Sequence, residues 1–423
     1  MRIPETDRLR VVVIGGGFAG LEVVRELGKS EVQIVLIDKH NYHTFVPLLY
    51  QVATAGLSPA DISSPLRDFL QDNKHFHFRM AKVQQIDAAK KEILTNIGTV
   101  GYDILIIASG SRTNFFGNKQ IKENASNLRE ITDAIELRNR LINNFEDALQ
   151  VNDAKELDTF MNIVIVGAGP SGVELAGTIG ELRKHVLPKD YPELDFSKMK
   201  IIMVEGGEQV LGSMSQKSGM KALQYLQKFG VSVHLGVMLE SYENGTAVFS
   251  DGTRISTNCL IWAAGVQGNA IPGLQESAVS NSRLKVDEFN LITDHQDIYA
   301  IGDVALQYDK KFTNGLPMLA TVAIQQGRNL AKNIIHMQKG KKPRPFKYKD
   351  MGTMATIGRN RAVIDLPYHI RLGGFPAWFI WMFIHLFSLA GFRRKFLVFS
   401  SWVWNYLTYS QGNRLIIRKD IDD

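Results

Sequence analysis

Two glycine clusters, each set between an apolar run and a helix-forming run, constrain this chain more than any other feature. Leu9–Ile14 reads LRVVVI and leads directly into Gly15-Gly16-Gly17-Phe18-Ala19-Gly20, after which Leu21–Gly28 has helical composition. A continuous β-branched run suits a strand buried on both faces. G-x-G-x-x-G between such a strand and a helix is a dinucleotide-binding fingerprint. Its first glycine permits a tight turn, its second lets a pyrophosphate approach the backbone, and its third lets helix pack on strand. The phosphates then sit at the helix N-terminus. A second strand is predicted over Val32–Ile37, ending at Asp38, where a carboxylate can accept hydrogen bonds from ribose hydroxyls.

The arrangement recurs. Met161–Val166 predicts a strand, Gly167-Ala168-Gly169-Pro170-Ser171-Gly172 the turn, and Val173–His185 the helix; Lys200–Val204 is the second strand and Glu205 the acid. The gap before Glu205 is long, and Leu187–Lys198, rich in Pro and Asp, reads as a loop insertion that accounts for it. One such cluster is weak, but two with complete flanks point to an α/β protein with two Rossmann-like dinucleotide-binding domains. Glu205 also selects the nucleotide. A carboxylate on the ribose repels a 2′-phosphate, and Gly206-Gly207 follows with no basic residue, so NADH is favoured over NADPH.

Composition narrows the chemistry. The 423 residues exceed what one hydrophobic core supports, and 45% hydrophobic with 22% charged residues fits an ordered protein. The net charge of +6 suits an anionic surface and does not call for nucleic acid. The single cysteine, Cys259, excludes an internal disulfide, a CxxC redox pair and a cysteine zinc site; it reads as a small apolar strand residue. No metal is expected, since His75-x-His77 lies in HFHFRM, which alternates like an ordinary strand. Met1–Arg10 lacks the apolar core of a signal peptide, so a cytoplasmic setting is expected. Lys339–Lys349 reads as a solvated linker, with a lipid or nucleic-acid patch as the alternative.

Three further segments resemble the two-dinucleotide-binding-domain flavoprotein superfamily, in which an NAD unit is inserted into an FAD unit: Tyr102–Ser111 (YDILIIASGS), Cys259–Gly265 (CLIWAAG) and Thr293–Asp303 (TDHQDIYAIGD). The resemblance implies non-covalent FAD on Gly15, Gly17, Phe18, Ala19, Gly20, Asp38, Lys39, Ala108, Gly110, Gly302 and Asp303. It implies NADH on Gly167, Gly169, Ser171, Gly172, Glu205, Ala264 and Gly265. Within that superfamily Asn41–Pro59 and Pro317–Gly327 (PMLATVAIQQG) resemble the type II NADH dehydrogenases. The second segment is similar to the family's A-Q-x-A-x-Q motif: Ala320, Ala323 and Gln325 match, and Thr321 stands where the first Gln usually is. Glu174 matches a family glutamate near nicotinamide and flavin. The resemblance thus implies Glu174 and Gln325 as catalytic residues, with Pro47, Gln51, Thr321, Ala323, Gln325 and Gln326 toward a membrane quinone. Read as residues alone, Gln325 and Gln326 also suit an ordinary helix surface over Ala320–His336, and Glu174 suits the first turn of any helix.

Four of the five tryptophans (Trp378, Trp381, Trp402, Trp404) fall in the last fifty residues. Phe375–Leu389 is apolar but for His385 and Ser388, Gly391–Lys395 interrupts, and Phe396–Tyr409 resumes. Each run would span about 22 Å as a helix, against about 30 Å for a bilayer core. A helical hairpin lying in one leaflet is therefore expected, with aromatics at headgroup level and Arg and Lys toward anionic lipid. A buried helix pair or a homodimer contact also fits an aromatic tail. Gly374–Tyr409 resembles the tail by which one branch of the family sits on membranes. The expected domains are residues 1–115 and 276–345 for FAD, 116–160 as a helical connection, 161–275 for NADH and 346–423 as a membrane-docking tail. The expected activity is NADH:quinone oxidoreduction without proton pumping, at the cytoplasmic face of the inner membrane. A reductase of small iron–sulfur proteins, or a flavin-binding NADH sensor or scaffold, are the alternatives. A sulfide:quinone oxidoreductase would need cysteines that this chain lacks.

Overall fold

The computed structural model describes residues 1–417; the last six residues of the expected tail domain lie outside the described residues. The chain forms two compact units. The first comprises residues 1–43, 64–112 and 266–350; the second comprises 44–63, 113–265 and 351 onward.

The first unit is built on a five-stranded parallel sheet. Its strands run in the order Ile298–Ala300, Ile104–Ile107, Arg10–Ile14, Gln33–Asp38 and Phe76–Met80. Register is set at the centre, where Val12 faces Val35 on one side and Leu105 on the other. These strands are apolar on both faces because both are covered, which is why they read as runs and not alternations. The helix Phe18–Leu27 buries Ala19, Leu21, Val23, Val24 and Leu27. It lies against the helix Ala320–Gln338, which contributes Ala323, Leu330, Ala331 and Ile334 to the same core. The crossing is close enough that a Cβ on Gly327 would stand 2.5 Å from the Ala19 carbonyl oxygen. Arg328 and Glu22 pair at 2.7 Å beside it.

The second unit repeats the plan, with strand order Ser126–Asn127, Cys259–Trp262, Asn162–Val166, Lys200–Glu205 and Val231–Leu235, again parallel. Val164 faces Ile202 and Leu260 at its centre. The insertion after the helix Pro170–His185 is more ordered than its Pro and Asp content suggests. Leu187–Asp190 forms a helical turn, and Tyr191 and Phe196 pack on Phe145 at ring separations of 5.8 and 5.5 Å.

The tail differs from expectation in two ways. After a three-stranded antiparallel sheet (Thr353–Thr356, Ala362–Asp365, Arg371–Gly373), the tail helices are Phe375–Ser388 and Phe392–Thr408. Gly391, at φ 79°, turns the chain so sharply that the second helix starts at once. Arg393, Arg394 and Lys395 are therefore in its first turn and not in the connecting segment. The tail also belongs to the same unit as the second glycine cluster. The Pro170–His185 helix runs so close to it that a Cβ on Gly177 would lie 2.9 Å from the Gly358 nitrogen. Residues 44–63, expected in the FAD domain, join this unit through the tail: Trp402 Nε1 donates to Gln51 Oε1 at 2.7 Å, and Asn405 Nδ2 to the Gly56 carbonyl at 3.0 Å. Among the described residues no helix is long and apolar enough to cross a membrane.

Candidate functional site

The two glycine clusters adopt one geometry, residue for residue. Gly15 has φ 105° and Gly167 φ 104°, values that L side chains rarely adopt. A Cβ on Gly20 would lie 1.9 Å from the Gly15 carbonyl oxygen, and one on Gly172 2.0 Å from that of Gly167. At Gly17 and Gly169, by contrast, a Cβ would meet nothing within 4 Å, so the backbone faces open space where a pyrophosphate needs it. The acids match as well. Asp38 accepts the Gly16 N–H at 2.6 Å and the His40 N–H at 2.8 Å; Glu205 accepts the Ala168 N–H at 2.7 Å and the Gly207 N–H at 2.8 Å. Each carboxylate is thus held at the strand end with lone pairs left for ribose hydroxyls. Burial pushes the Asp38 carboxyl up, against the opposing pull of those two N–H donors.

In the first unit the remaining expected residues converge on this turn. Lys39 follows Asp38 directly, and Phe18 sets its ring edge-on to His43 at 5.1 Å. The Ala108 N–H donates to the Ile14 carbonyl at 2.8 Å, and Gly110 takes φ 68° with open space above it. Ser111 Oγ donates to Asp303 Oδ2 at 2.5 Å. Gly302 lies against Ala19 and Ala323, its added Cβ 3.2 and 3.5 Å from theirs. Gln326, expected at the quinone, is buried beneath this turn. Its Oε1 accepts the Gly302 N–H at 2.8 Å and its Nε2 donates to Gln307 at 2.9 Å. Gln325 has both ends of its amide on the Lys349 backbone, at 2.9 and 3.0 Å, and the Thr321 hydroxyl meets that of Tyr348 at 3.0 Å. These contacts order residues 344–350, so the basic stretch is a fixed strap with Phe346 buried in a small core. Gln326→Leu should orphan the buried Gly302 N–H at a cost of about 1–3 kcal/mol, read as a lower melting temperature and a lower flavin-to-protein absorbance ratio.

In the second unit Gly265 takes φ 77° at the end of the Cys259–Trp262 strand, and Ala263 and Ala264 abut Gly167, an added Cβ on which would stand 2.8 Å from their backbone. Ser171 is exposed in the first turn of the helix. Glu174, one turn on, is buried, and burial raises its carboxyl to about 8, only partly opposed by the Thr356 N–H at 3.4 Å. The Trp381 indole lies alongside that carboxyl without closing a well-formed hydrogen bond. A cavity of about 360 Å³ opens here, lined by Gln51, Thr178, Glu181, Thr356 and the tail aromatics Trp378, Trp381, Trp402 and Tyr406, among others. Gln51 bridges Trp402 to the Tyr50 hydroxyl, which its Nε2 meets at 2.8 Å. His385, stacked on Trp381 at 4.1 Å, is pushed down to about 4 by burial and is neutral.

A family model described as pyridine nucleotide-disulphide oxidoreductase matches residues 9–327, and one described as the NDH2 C-terminal domain matches residues 351–409. A type II NADH:quinone oxidoreductase of Mycobacterium tuberculosis is 35% identical over 97% of this chain and 90% of its own length. The chain belongs to the type II NADH:quinone oxidoreductases. The solved NDH2 of Plasmodium falciparum shares the fold, with TM-score 0.88 at 20% identity over 97% of this chain and all of that one. A sulfide:quinone oxidoreductase of Aquifex aeolicus also shares it, with TM-score 0.70 at 19% identity and 98% of each chain covered. Fold alone therefore does not select the electron donor.

The family uses FAD and NADH, and the open backbone at Gly17 and Gly169 with a fixed acid beside each fits a dinucleotide at either cluster. The disulphide in the broader family's description has no counterpart here. Cys259 is the sole cysteine, is fully buried, and burial pushes its thiol up to about 12. Several supporting residues lie outside the expected site set. His43, pushed down to about 4 by burial and therefore neutral, meets the Gly16 carbonyl at 3.0 Å through Nδ1 and braces the first turn. Ser111 does the same for Asp303. Leu211 is the counterpart of His43, its N–H donating to the Ala168 carbonyl at 2.8 Å.

Proposed function

We propose that the chain oxidises NADH bound on its second glycine cluster, through FAD on its first, and reduces a quinone in the cavity of the second unit. FAD, when held on the first cluster, would supply the two-electron chemistry that links NADH to quinone. The protein supplies positioning and protons. Forming a quinol takes two electrons and two protons. The hydride of NADH accounts for both electrons and one proton, and Glu174, held protonated up to about pH 8 behind Thr356 and Trp381, would give the second and recover it from solvent. Among the residues expected at the quinone, Gln51 lines the cavity with its amide held between Trp402 and Tyr50; Pro47 lies in the short turn Val46–Leu48 before it. The observation that carries this reading is the aromatic cavity itself, of a size suited to a drug-sized ring, backed by a buried, protonated carboxyl. Steady-state NADH oxidation by the purified full chain should proceed with a water-soluble quinone. Reduction of a ferredoxin-type protein with no quinone turnover would contradict it.

Quinones dissolve in lipid, and the tail is suited to reach them. Phe375, Phe379, Phe383 and Phe387 recur at four-residue spacing on the exposed side of the first tail helix, and Phe392, Phe396, Trp404 and Leu407 are exposed on the second. So much exposed apolar surface marks an interaction face. Arg393, Arg394 and Lys395 stand at the positive end of the second helix, an arrangement disfavoured by its dipole and favoured by anionic headgroups. These features support peripheral docking, in the proposed reading at the cytoplasmic face of the inner membrane. Replacing Phe383, Phe387 and Phe396 together by Ser removes three apolar anchors that do not line the cavity, at roughly 1.5–3 kcal/mol each. Co-sedimentation with anionic vesicles should be lost while NADH oxidation with a soluble acceptor persists. Unchanged sedimentation would overturn the docking face, and dissociation of a homodimer instead would make it a protein contact.

A further inference from the structure

We propose that Phe116 positions the nicotinamide half of NADH, an inference that rests on reading the second glycine cluster as the NADH site. The strand order of that unit fixes how a dinucleotide lies across it. The Lys200–Glu205 strand flanks Asn162–Val166 on one side, and Cys259–Trp262 flanks it on the other. Ligands of such sheets bind beyond the carboxyl ends of the strands. With its adenosine ribose at Glu205 and its pyrophosphate at Gly169, the dinucleotide carries its other half over the end of Cys259–Trp262, where Ala264 and Gly265 turn. Phe116 stands at that turn, its ring 2.9 Å from where a Cβ on Gly265 would be.

Burial does not explain this residue. The residue is 69% exposed, whereas its neighbour Phe115 stacks on Trp262 at 5.9 Å against the core of the unit. Phe116 meets the same indole only edge-on, at 6.2 Å and 65°. Its backbone is left-handed, φ 50°, an uncommon state for a bulky residue. Three hydrogen bonds keep it there. Asn114 Oδ1 accepts the Phe116 N–H at 2.9 Å, the Asn114 carbonyl accepts the Trp262 indole N–H at 3.0 Å, and the Asn114 N–H donates to the Gly265 carbonyl at 3.2 Å. The segment before Phe116 is thus tied at two points to the strand and turn that receive the nicotinamide half. A fixed, exposed aromatic face beside that path is a stacking surface for a flat ring. With Gly265 beneath the ring, no side chain stands between them.

The test uses the flavin-loaded full chain and compares NADH with AMP, which carries only the adenosine half. Phe116→Ala should lower kcat/KM for NADH about five- to tenfold, the loss of one stacking contact, and leave the competitive inhibition constant of AMP unchanged. Phe116→Tyr should restore wild-type values. Phe116→Gly should show the same loss for NADH with an undiminished melting temperature, because glycine tolerates the left-handed backbone. Unchanged kcat/KM for NADH in Phe116→Ala, or an equal weakening of NADH and AMP, would overturn the proposal. Failure of AMP to compete with NADH in the wild type would instead overturn the reading of the second cluster on which it rests.

Discussion

Gly15→Ala is expected to yield protein that binds no FAD and is several kcal/mol less stable than the wild type. At φ 105° any side chain is strained, at a cost of about 1–3 kcal/mol. The new Cβ would also stand 2.2 Å from the Ala108 carbonyl oxygen, so the strand end carrying Ala108 must move. That breaks the hydrogen bond from Ala108 to Ile14, 2.8 Å long, which closes the sheet beneath the first glycine turn. Against a total stability of roughly 5–15 kcal/mol for a typical protein, losses of this size decide whether the first unit folds. Gly17→Ala separates folding from binding. Its methyl faces open space, so the protein should melt near the wild-type temperature while the methyl occupies the approach of the pyrophosphate. Flavin absorbance after gel filtration and a thermal melt read both variants. A Gly15→Ala protein that keeps its flavin and its melting temperature would show that the turn is not built as described.

Glu174→Gln should stabilise the protein at alkaline pH and be neutral at acid pH. Burial raises this carboxyl to about 8, whereas in the unfolded chain it titrates near the ordinary value of 4.5. Between those two values the folded protein holds a proton that the unfolded chain has released. Wild-type stability therefore falls as pH rises across that window, by several kcal/mol in total, and does not fall further from this group above it. Gln carries no charge at any pH and keeps an oxygen to accept the Thr356 N–H. The variant should melt close to wild type near pH 5 and clearly above it near pH 9. Parallel melting curves from pH 5 to 9 would mean that Glu174 is ionised in the folded protein.

Much of the nucleotide chemistry was legible in the sequence because glycine is demanded where nothing else fits. Gly15 and Gly167 need a left-handed turn, Gly20 and Gly172 a contact near 2 Å, and each pair sits at a fixed distance from an apolar strand and an acid. Those demands are local, so spacing along the chain records them. The tail was legible as aromatic and too short to span a bilayer, but its place was not. Its attachment depends on Gln51 meeting Trp402 and Gly56 meeting Asn405, pairs about 350 residues apart, and no periodicity records such a meeting. Glu174 could be matched to a family position, yet the Trp381 and Thr356 that surround it come from the tail. The start of the second tail helix was misplaced because Arg-Arg-Lys reads as an interruption, whereas Gly391 had already made the turn. Gln325 and Gln326, read as a pair toward the quinone, have their amides engaged within the first unit, on Lys349 and on Gly302. Phe116 lies in a stretch with no motif at all; only its exposure beside Gly265 distinguishes it.

The decisive step is the departure of the electrons to quinone. The most direct measurement is anaerobic rapid mixing of NADH-treated enzyme with a quinone, following the return of flavin absorbance in wild type and in Glu174→Gln. A lost proton donor should slow reoxidation by quinone on the order of a hundredfold and leave reoxidation by ferricyanide, which takes no proton, at the wild-type rate. Equal rates with quinone in the two proteins would contradict the assignment of the aromatic cavity in front of Glu174 as the place of quinone reduction.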